Sequence, residues 1–442
     1  MEVSVENPGG LERRMRVQVP SQRVEDAVAE KIKRVGRHAK VPGFRPGKVP
    51  MKVLYQRYGQ QARQEVLSEL LQSTYTQALG EVELNPAGQP QIELEQQEPG
   101  ADLEYVATFE VYPEIQVNGL SGHVVDEPEV SVEDADVDKT IERIRKQHQT
   151  FEPVERPAQD GDRVTIDFEG LIDGKPFDGN SGEDVPVEIG SGRFLDEMEE
   201  ALKGHQAEES FSVHVNFPAD YPSDELKGQQ AEFQVSVNKV EAPKLPAIDE
   251  EFLQTLGVEE GGEEALRQKV RESLEGERDK AVRNQVKQQV LDALYKANPL
   301  EVPQSLVEQE IERMRGEAAQ RLPQGQRDPQ RLRELMPDNL FEEAAKRRVT
   351  LGLLIAEIIK ERDIKLDSTR VDEMLDELAS GYSEPEQVIQ YYRSNPQLLQ
   401  GVEAMAMEEQ VVDALLEDVE RKPVRESLDE LMKSAGEAEP TQ

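Results

Sequence analysis

Val164-Thr-Ile-Asp-Phe-Glu-Gly-Leu-Ile-Asp-Gly-Lys-Pro-Phe-Asp178 decides the fold of the middle of this chain. Val164, Ile166 and Phe168 alternate with Thr165, Asp167 and Glu169, the period-two pattern of a strand with one buried face. Asp173-Gly174 is a hairpin turn leading into Pro176-Phe177-Asp178. Downstream, Val185-Pro-Val-Glu-Ile189 reads as another strand. Gly190-Ser-Gly192 then opens a short helix with Phe194, Leu195, Met198 and Leu202 on one side, stopped by Gly204. Two more strands follow, from Phe211 to Phe217 and from Glu232 to Val240. The expected assembly over residues 153–243 is a small antiparallel sheet curved over one helix.

One aromatic residue in such a domain mostly serves burial. An ordered set is more specific. Asp167-Phe-Glu-Gly170, Lys175-Pro-Phe-Asp178, the Gly190–Leu195 approach to the helix, Tyr221 in a loop and Phe233 on the last strand resemble the FKBP-type prolyl isomerase pattern. The resemblance implies a pocket lined by Phe168, Phe177, Leu195, Tyr221 and Phe233, with Asp178 beside it and Val185, Phe194 and Met198 as walls. Val185 stands where that family usually has an aromatic, and Met198 where Trp often forms the floor. The chemistry suits an apolar pocket. Rotation about an X–Pro bond breaks no covalent bond and needs no nucleophile, metal or cofactor. Its barrier of about 20 kcal/mol comes from amide resonance. A nucleotide loop at Gly190-Ser-Gly-Arg-Phe-Leu195 is disfavoured, because Leu195 replaces the third glycine and Glu188, Asp196 and Glu197 would repel phosphate. No Walker loop or His-Glu-x-x-His occurs, and the five histidines are scattered, so neither ATP nor a metal is expected.

On the N-terminal side, Lys31 to Arg63 is a window of 33 residues holding ten Lys or Arg and no acid, in a chain of net charge −39. The other 409 residues therefore carry −49 between them. About seven acids are expected in a window of that length at the average frequency, so chance and a merely solvated face both fit poorly. A helix with Ser21 as N-cap, acids Glu25 and Asp26 near its start and a Val24, Val28, Ile32, Val35 stripe is expected to project Lys31, Lys33, Arg34 and Arg37 away from its buried side. Pro42 and Gly43 end that path, and a second helix starts near Met51. Tyr58, Ala62, Leu70, Leu71, Tyr75 and Leu79 give it an apolar face. Pro86-Ala-Gly88 is a turn, and Leu103 to Tyr112 alternates as a closing strand.

The loop between those helices, Gly43-Phe-Arg-Pro-Gly-Lys-Val-Pro50, resembles the ribosome-binding signature of the trigger factor family. Gly43, Phe44, Arg45, Pro46, Gly47 and Lys48 are then the ribosome-binding residues, with Pro46 standing where another basic residue is common. The resemblance covers nearly the whole chain. It implies an ATP-independent chaperone that docks at the ribosomal tunnel exit, against a ribosomal protein and adjacent ribosomal RNA. It also implies shelter for nascent and unfolded chains among helical arms, isomerisation of X–Pro bonds, and a homodimer when free. A free prolyl isomerase whose helical region only dimerises it, and a general RNA-binding protein, are the alternatives.

Beyond Pro243 the pattern is helical to about Arg421, interrupted at Asn298-Pro299 with Val302-Pro303, at Leu322-Pro-Gln-Gly325 and from Ser383 to Pro385. Met314, Met336, Met374, Met405, Met407 and Met432 supply polarizable side chains suited to varied apolar ligands, although helix packing explains any single one as well. Before it, residues 113–152 read as a proline- and acid-rich connection followed by a helix with a Val137, Ile141, Ile144 stripe. That helix is too small to bury itself, and the resemblance places it with the C-terminal helices.

The expected fold is thus multidomain α+β. Residues 1–112 form a ribosome-binding domain, 113–152 a linker and helix, 153–243 the isomerase, 244–432 an elongated helical domain and 433–442 a flexible tail. At 442 residues with 36% apolar and 5% aromatic residues, no Trp and mean hydropathy −0.69, the chain suits several thin-cored parts better than one globule. With no Cys, disulfide and thiolate chemistry are excluded. The start Met-Glu-Val-Ser-Val-Glu lacks a signal-peptide pattern, and the most apolar run, Val349 to Ile359, is too short to span a bilayer and carries Glu357. A soluble cytoplasmic protein without a membrane partner is expected.

Overall fold

The structure is a computed structural model. It describes residues 1–39, 41–42, 44, 48–218, 221, 223, 226–320, 322 and 327–438. Gly43, Arg45, Pro46 and Gly47 of the expected docking loop, and most of the expected 322–325 break, lie outside the described residues. The chain divides into two compact units, residues 1–128 with 282–424 and 435–442, and residues 129–281 with 425–434.

The first unit begins with strands β1 (Glu2–Gly9) and β2 (Glu12–Val19), then helices α1 (Ser21–His38) and α2 (Met51–Val82), then β3 (Gln91–Gln96) and β4 (Leu103–Glu110). The strands form one antiparallel sheet in the order β1-β2-β4-β3. Alternation sends Met15, Val17 and Val19 of β2 and Tyr105, Ala107 and Phe109 of β4 to one face. Val24, Val28 and Ile32 of α1 and Ala62, Val66 and Leu70 of α2 close over it. The helix pair approaches closely at Gly36, where an added Cβ would stand 2.5 Å from a Leu54 methyl. Ser21 is not the cap of α1. Pro20 occupies the N-cap, Ser21 is the first helical residue, and its N–H donates to the Asp102 carboxylate at 2.7 Å.

Strand β5 (Val124–Glu129) follows, where only a connection was expected. Helix α3 (Asp134–Gln147) starts at a capping box, with Glu133 N–H donating to Asp136 at 3.0 Å. In the second unit its Val137 and Ile141 pack with Leu253 and Val258 and with Leu266, Val270 and Leu274. Between them the middle segment runs β6 (Thr150–Pro153), β7 (Arg163–Leu171), β8 (Ser181–Glu188), α4 (Asp196–Leu202), β9 (Ser210–Asn216) and β10 (Gln230–Lys244). Its five-stranded sheet is antiparallel throughout. β10 is central, with β7 on one side and β9 then β6 along the other. The Asp173-Gly174 turn has both residues at positive φ, 50° and 75°, and Ile172 and Lys175 exchange hydrogen bonds across it. Helix α5 (Glu250–Thr255) is capped by Asp249, and the long α6 (Gly262–Ala297) follows.

Helices α7 (Gln304–Gln320), α8 (Pro329–Leu335), α9 (Glu342–Glu361), α10 (Ser368–Ala379), α11 (Pro385–Ser394) and α12 (Pro396–Leu416) belong to the first unit. Val290 and Leu294 of α6, Leu354 and Ile358 of α9 and Val411 and Leu415 of α12 make its largest helical core, which also receives Leu120 and Val125. The Glu110 carboxylate accepts the N–H groups of Gln304 and Ser305 at 3.0 and 2.9 Å, closing the start of α7 on the N-terminal sheet. The helical stretch is more divided than the sequence pattern implies. Further stops fall at residues 362–367, where Asp367 caps α10, and at Asn395, where Pro396 opens α12. It ends in strand β11 (Glu420–Arg425), which pairs with β5. Helix α13 (Leu428–Ala438) runs six residues into the segment expected to be a loose tail.

Candidate functional site

In the middle segment, β7 carries Phe168, the turn after it Phe177, β10 Phe233, and the approach to α4 Phe194 and Leu195. All five, with Val185 and Tyr221, pack against the same core. Their rings form one edge-to-face series. Phe194 meets Phe168 at 5.9 Å between centroids, Phe168 meets Phe233 at 5.9 Å, Phe233 meets Phe177 at 6.1 Å, Phe177 meets Phe217 at 5.9 Å and Phe217 meets Tyr221 at 4.9 Å. Edge-to-face contacts hold rings in fixed relative orientation. Two glycines make room for them. A Cβ on Gly170 would lie 2.4 Å from the Phe233 ring, and one on Gly182 would lie 2.8 Å from both Phe168 and Val185.

The structure therefore brings Phe168, Phe177, Leu195, Tyr221 and Phe233 together, with Val185 and Phe194. Met198 differs. It is fully buried in the core beneath the rings. Asp178 is exposed on the turn directly after Phe177. Phe217, the fifth ring of the series, is absent from the sequence-derived set. It directly follows β9, next to Pro218, where the sequence pattern reads as an ordinary strand terminus.

Glu199 was also missed. It sits on α4, 4% exposed, and reaches back to the loop that presents Phe194 and Leu195. Its Oε2 accepts the N–H of Gly190 at 2.8 Å and of Gly192 at 3.3 Å. Its Oε1 accepts the N–H of Phe194 at 3.0 Å and the Ser191 hydroxyl at 3.3 Å. Burial pushes its carboxyl upward, but the three backbone N–H groups and Ser191 outweigh it and hold the group below the usual carboxylate range.

The basic window is a different kind of surface. Lys33, Arg34 and Arg37 on α1, Lys48 before α2, and Lys52 and Arg57 on α2 are exposed and make no ion pair among the described residues. Phe44, Met51 and Tyr55 stand among them at 40%, 41% and 39% exposure. Lys31 does not project as expected. Its ammonium pairs with Glu65 at 2.9 Å and Glu69 at 2.7 Å on α2, which raises its pKa. Arg63 likewise pairs with Glu25 at 2.8 Å. The two ends of the window pin α1 to α2, and the six described cations between them are exposed.

In the helical region Met314, Met374 and Met432 are partly buried against helix cores, and Met405 is exposed. The large exposed apolar side chains there are mainly Leu335, Leu340, Leu366, Leu378, Tyr382 and Tyr391. Among the described residues no group of three or more His, Asp or Glu could hold a metal ion, and no helix is long and apolar enough to cross a membrane.

A five-stranded antiparallel sheet packed on one short helix, with a continuous series of aromatic rings, has the architecture of an FKBP-type domain carried within a larger chain. Residues 154–238 match the family described as FKBP-type peptidyl-prolyl cis-trans isomerase. Residues 1–144 match bacterial trigger factor protein, and residues 264–417 match its C-terminus. Trigger factor of Thioalkalivibrio sulfidiphilus is 48% identical over 98% of this chain and 98% of its own length. That of Alkalilimnicola ehrlichii is 48% identical over 98% and 95%, and that of Ectopseudomonas mendocina 47% over 94% of each. The chain belongs to the trigger factor family, and it is a molecular chaperone with prolyl isomerase activity.

Proposed function

We propose that a client proline enters the pocket bounded by Phe168, Phe177, Phe194, Leu195, Tyr221 and Phe233, with Val185 at its wall and Asp178 at its rim. The observation that carries this reading is the continuous edge-to-face series of rings. A twisted amide has lost resonance and much of its dipole, so an apolar cleft that excludes water favours it over the planar ground state. Rate rises because that preference is greater for the transition state than for the bound substrate. No proton transfer or covalent step is required.

The basic end is read as the anchor. Exposed Lys33, Arg34, Arg37, Lys48, Lys52 and Arg57 supply charge for ribosomal RNA at the tunnel exit, and Phe44, Met51 and Tyr55 supply apolar contact for a neighbouring ribosomal protein. Gly43, Arg45, Pro46 and Gly47 complete this loop by sequence. The strongly acidic remainder keeps the other parts of the chain off RNA. Nascent and unfolded segments are sheltered by the helical domain, whose exposed leucines and tyrosines support that role. In the free protein the same apolar trio at the anchor is read as the contact with a second copy. Replacing Phe44, Arg45 and Lys48 together by Ala tests the anchor. Co-sedimentation with ribosomes is expected to be lost with the isomerase rate unchanged, and retained co-sedimentation overturns the assignment.

A further inference from the structure

We propose that Glu199 is a positioning residue of the isomerase, holding the loop from Gly190 to Phe194 in the shape that presents Phe194 and Leu195 to the client proline. This rests on the pocket assignment above.

Three features of the loop carry the proposal. First, its backbone is not held by local preference. Gly190 and Gly192 adopt φ of 85° and 66°, the left-handed region that residues with a Cβ rarely enter. Second, the N–H groups of Gly190, Gly192 and Phe194 converge on one side chain, the Glu199 carboxylate, which also accepts the Ser191 hydroxyl. Third, the loop ends in two pocket walls. The Phe194 ring packs on Phe168, while the Leu195 carbonyl accepts the N–H groups of Met198 and Glu199 at 2.8 and 3.0 Å to begin α4.

The other buried acids of the segment provide a contrast. Asp162 is neutralised by Arg156, and Glu241 by Arg163 and Lys239. Glu199 forms no ion pair among the described residues, so its charge is balanced by the loop itself. A buried carboxylate satisfied only by N–H and O–H donors ties those donors together, because releasing any of them leaves both partners unpaired in a dry site. The loop is thereby ordered before substrate arrives, and the ordering cost is not charged to binding.

The test uses the full chain with Glu199→Ala, Glu199→Gln, Ser191→Ala and, as a control on the pocket itself, Phe168→Ala. The measurements are kcat/KM and KM on a prolyl tetrapeptide, amide hydrogen exchange at Gly190, Gly192 and Phe194, and thermal unfolding. Glu199→Ala is expected to lower kcat/KM about tenfold, mainly through KM, and to speed exchange at the three amides. Glu199→Gln should recover part of the loss. Its carbonyl oxygen can keep Gly190 and Gly192 while its NH2 donates to the Ser191 hydroxyl, which leaves only the Phe194 N–H without a partner. Ser191→Ala should stay within about twofold, since it removes two long bonds, one donated to the Glu199 carboxylate and one accepted from the Arg193 N–H, both at 3.3 Å, and leaves the three backbone N–H groups on Glu199. A folded Glu199→Ala protein with wild-type KM overturns the proposal whatever its melting temperature. If Ala unfolds the segment, Gln decides: raised KM with faster loop exchange supports the role, and wild-type values for both overturn it. A wild-type rate for Phe168→Ala would instead overturn the pocket assignment.

Discussion

The isomerase pocket and the basic window place their binding groups on opposite sides of the boundary with water. In the isomerase segment, rings touch rings, glycines leave out the Cβ atoms that would block them, and a buried carboxylate accepts the N–H groups of the Gly190–Phe194 loop. In the window, Lys33, Arg34, Arg37, Lys48, Lys52 and Arg57 are exposed and form no salt bridge among the described residues. The first arrangement gains its effect from fixed shape, so removing one part disturbs its neighbours. The second gains it from summed charge, so its parts act nearly independently and salt weakens them all. The contrast fits the two tasks proposed for these regions, reshaping one amide bond and holding a large polyanionic particle.

The largest expected effect follows from the first half of that contrast. Phe168 touches both Phe194 and Phe233, so Phe168→Ala opens the middle of the series. A loss of about 100-fold in kcat/KM on a prolyl peptide is expected, equal to about 2.7 kcal/mol of transition-state stabilisation. A loss confined to a fewfold would mean that the rings act independently, and the comparison would fail on the pocket side. The window should respond more gently. Replacing Lys33, Arg34 and Arg37 together by Ala is expected to weaken ribosome binding and to flatten the slope of log affinity against log salt by about two to three. Lys31→Ala sharpens the point. Its ammonium is already committed to Glu65 and Glu69, so this change should leave the salt slope as it is and lower the melting temperature of the docking domain instead.

The smallest effect concerns a group that serves neither site. The Tyr75 hydroxyl is buried in the N-terminal core with no hydrogen-bond partner among the described residues, and burial pushes its pKa up to about 12. Tyr75→Phe removes an unpaired polar atom while keeping the ring on Phe109. It should raise the stability of the docking domain by about 1 kcal/mol in chemical denaturation and leave ribosome binding and isomerase rate alone.

The ring cluster was legible through the ordered FKBP-type pattern of residues. The alternation of Val164, Ile166 and Phe168 places only Phe168 on its strand face, while Phe177, Phe194, Leu195 and Tyr221 lie off the strands in turns and loops. Glu199 was not legible. In the run Glu197-Met-Glu-Glu200 it looks like one more solvated acid on a helix, and only the path of the Gly190–Phe194 loop makes it interior. Phe217 escaped because a strand-end Phe before Pro carries no local mark of a pocket.

The window shows the limit of counting charge along a sequence. Lys31 and Arg63 look like the ends of an acid-free stretch, but their partners Glu69 and Glu25 are each 38 residues away and are returned to them by the helix pair. The β5–β11 ribbon was hidden for a related reason. Its strands are separated by most of the chain, and Glu420-Arg-Lys-Pro-Val-Arg425 has none of the apolar alternation that marks a half-buried strand.

The account stands on the separation between a shape-built isomerase site and a charge-built anchor, and one protein tests both halves. In full-length Phe168→Ala, prolyl peptide isomerisation and ribosome co-sedimentation are measured on the same preparation. A rate reduced about 100-fold beside unchanged co-sedimentation is the expected result. Isomerisation at the wild-type rate would contradict it.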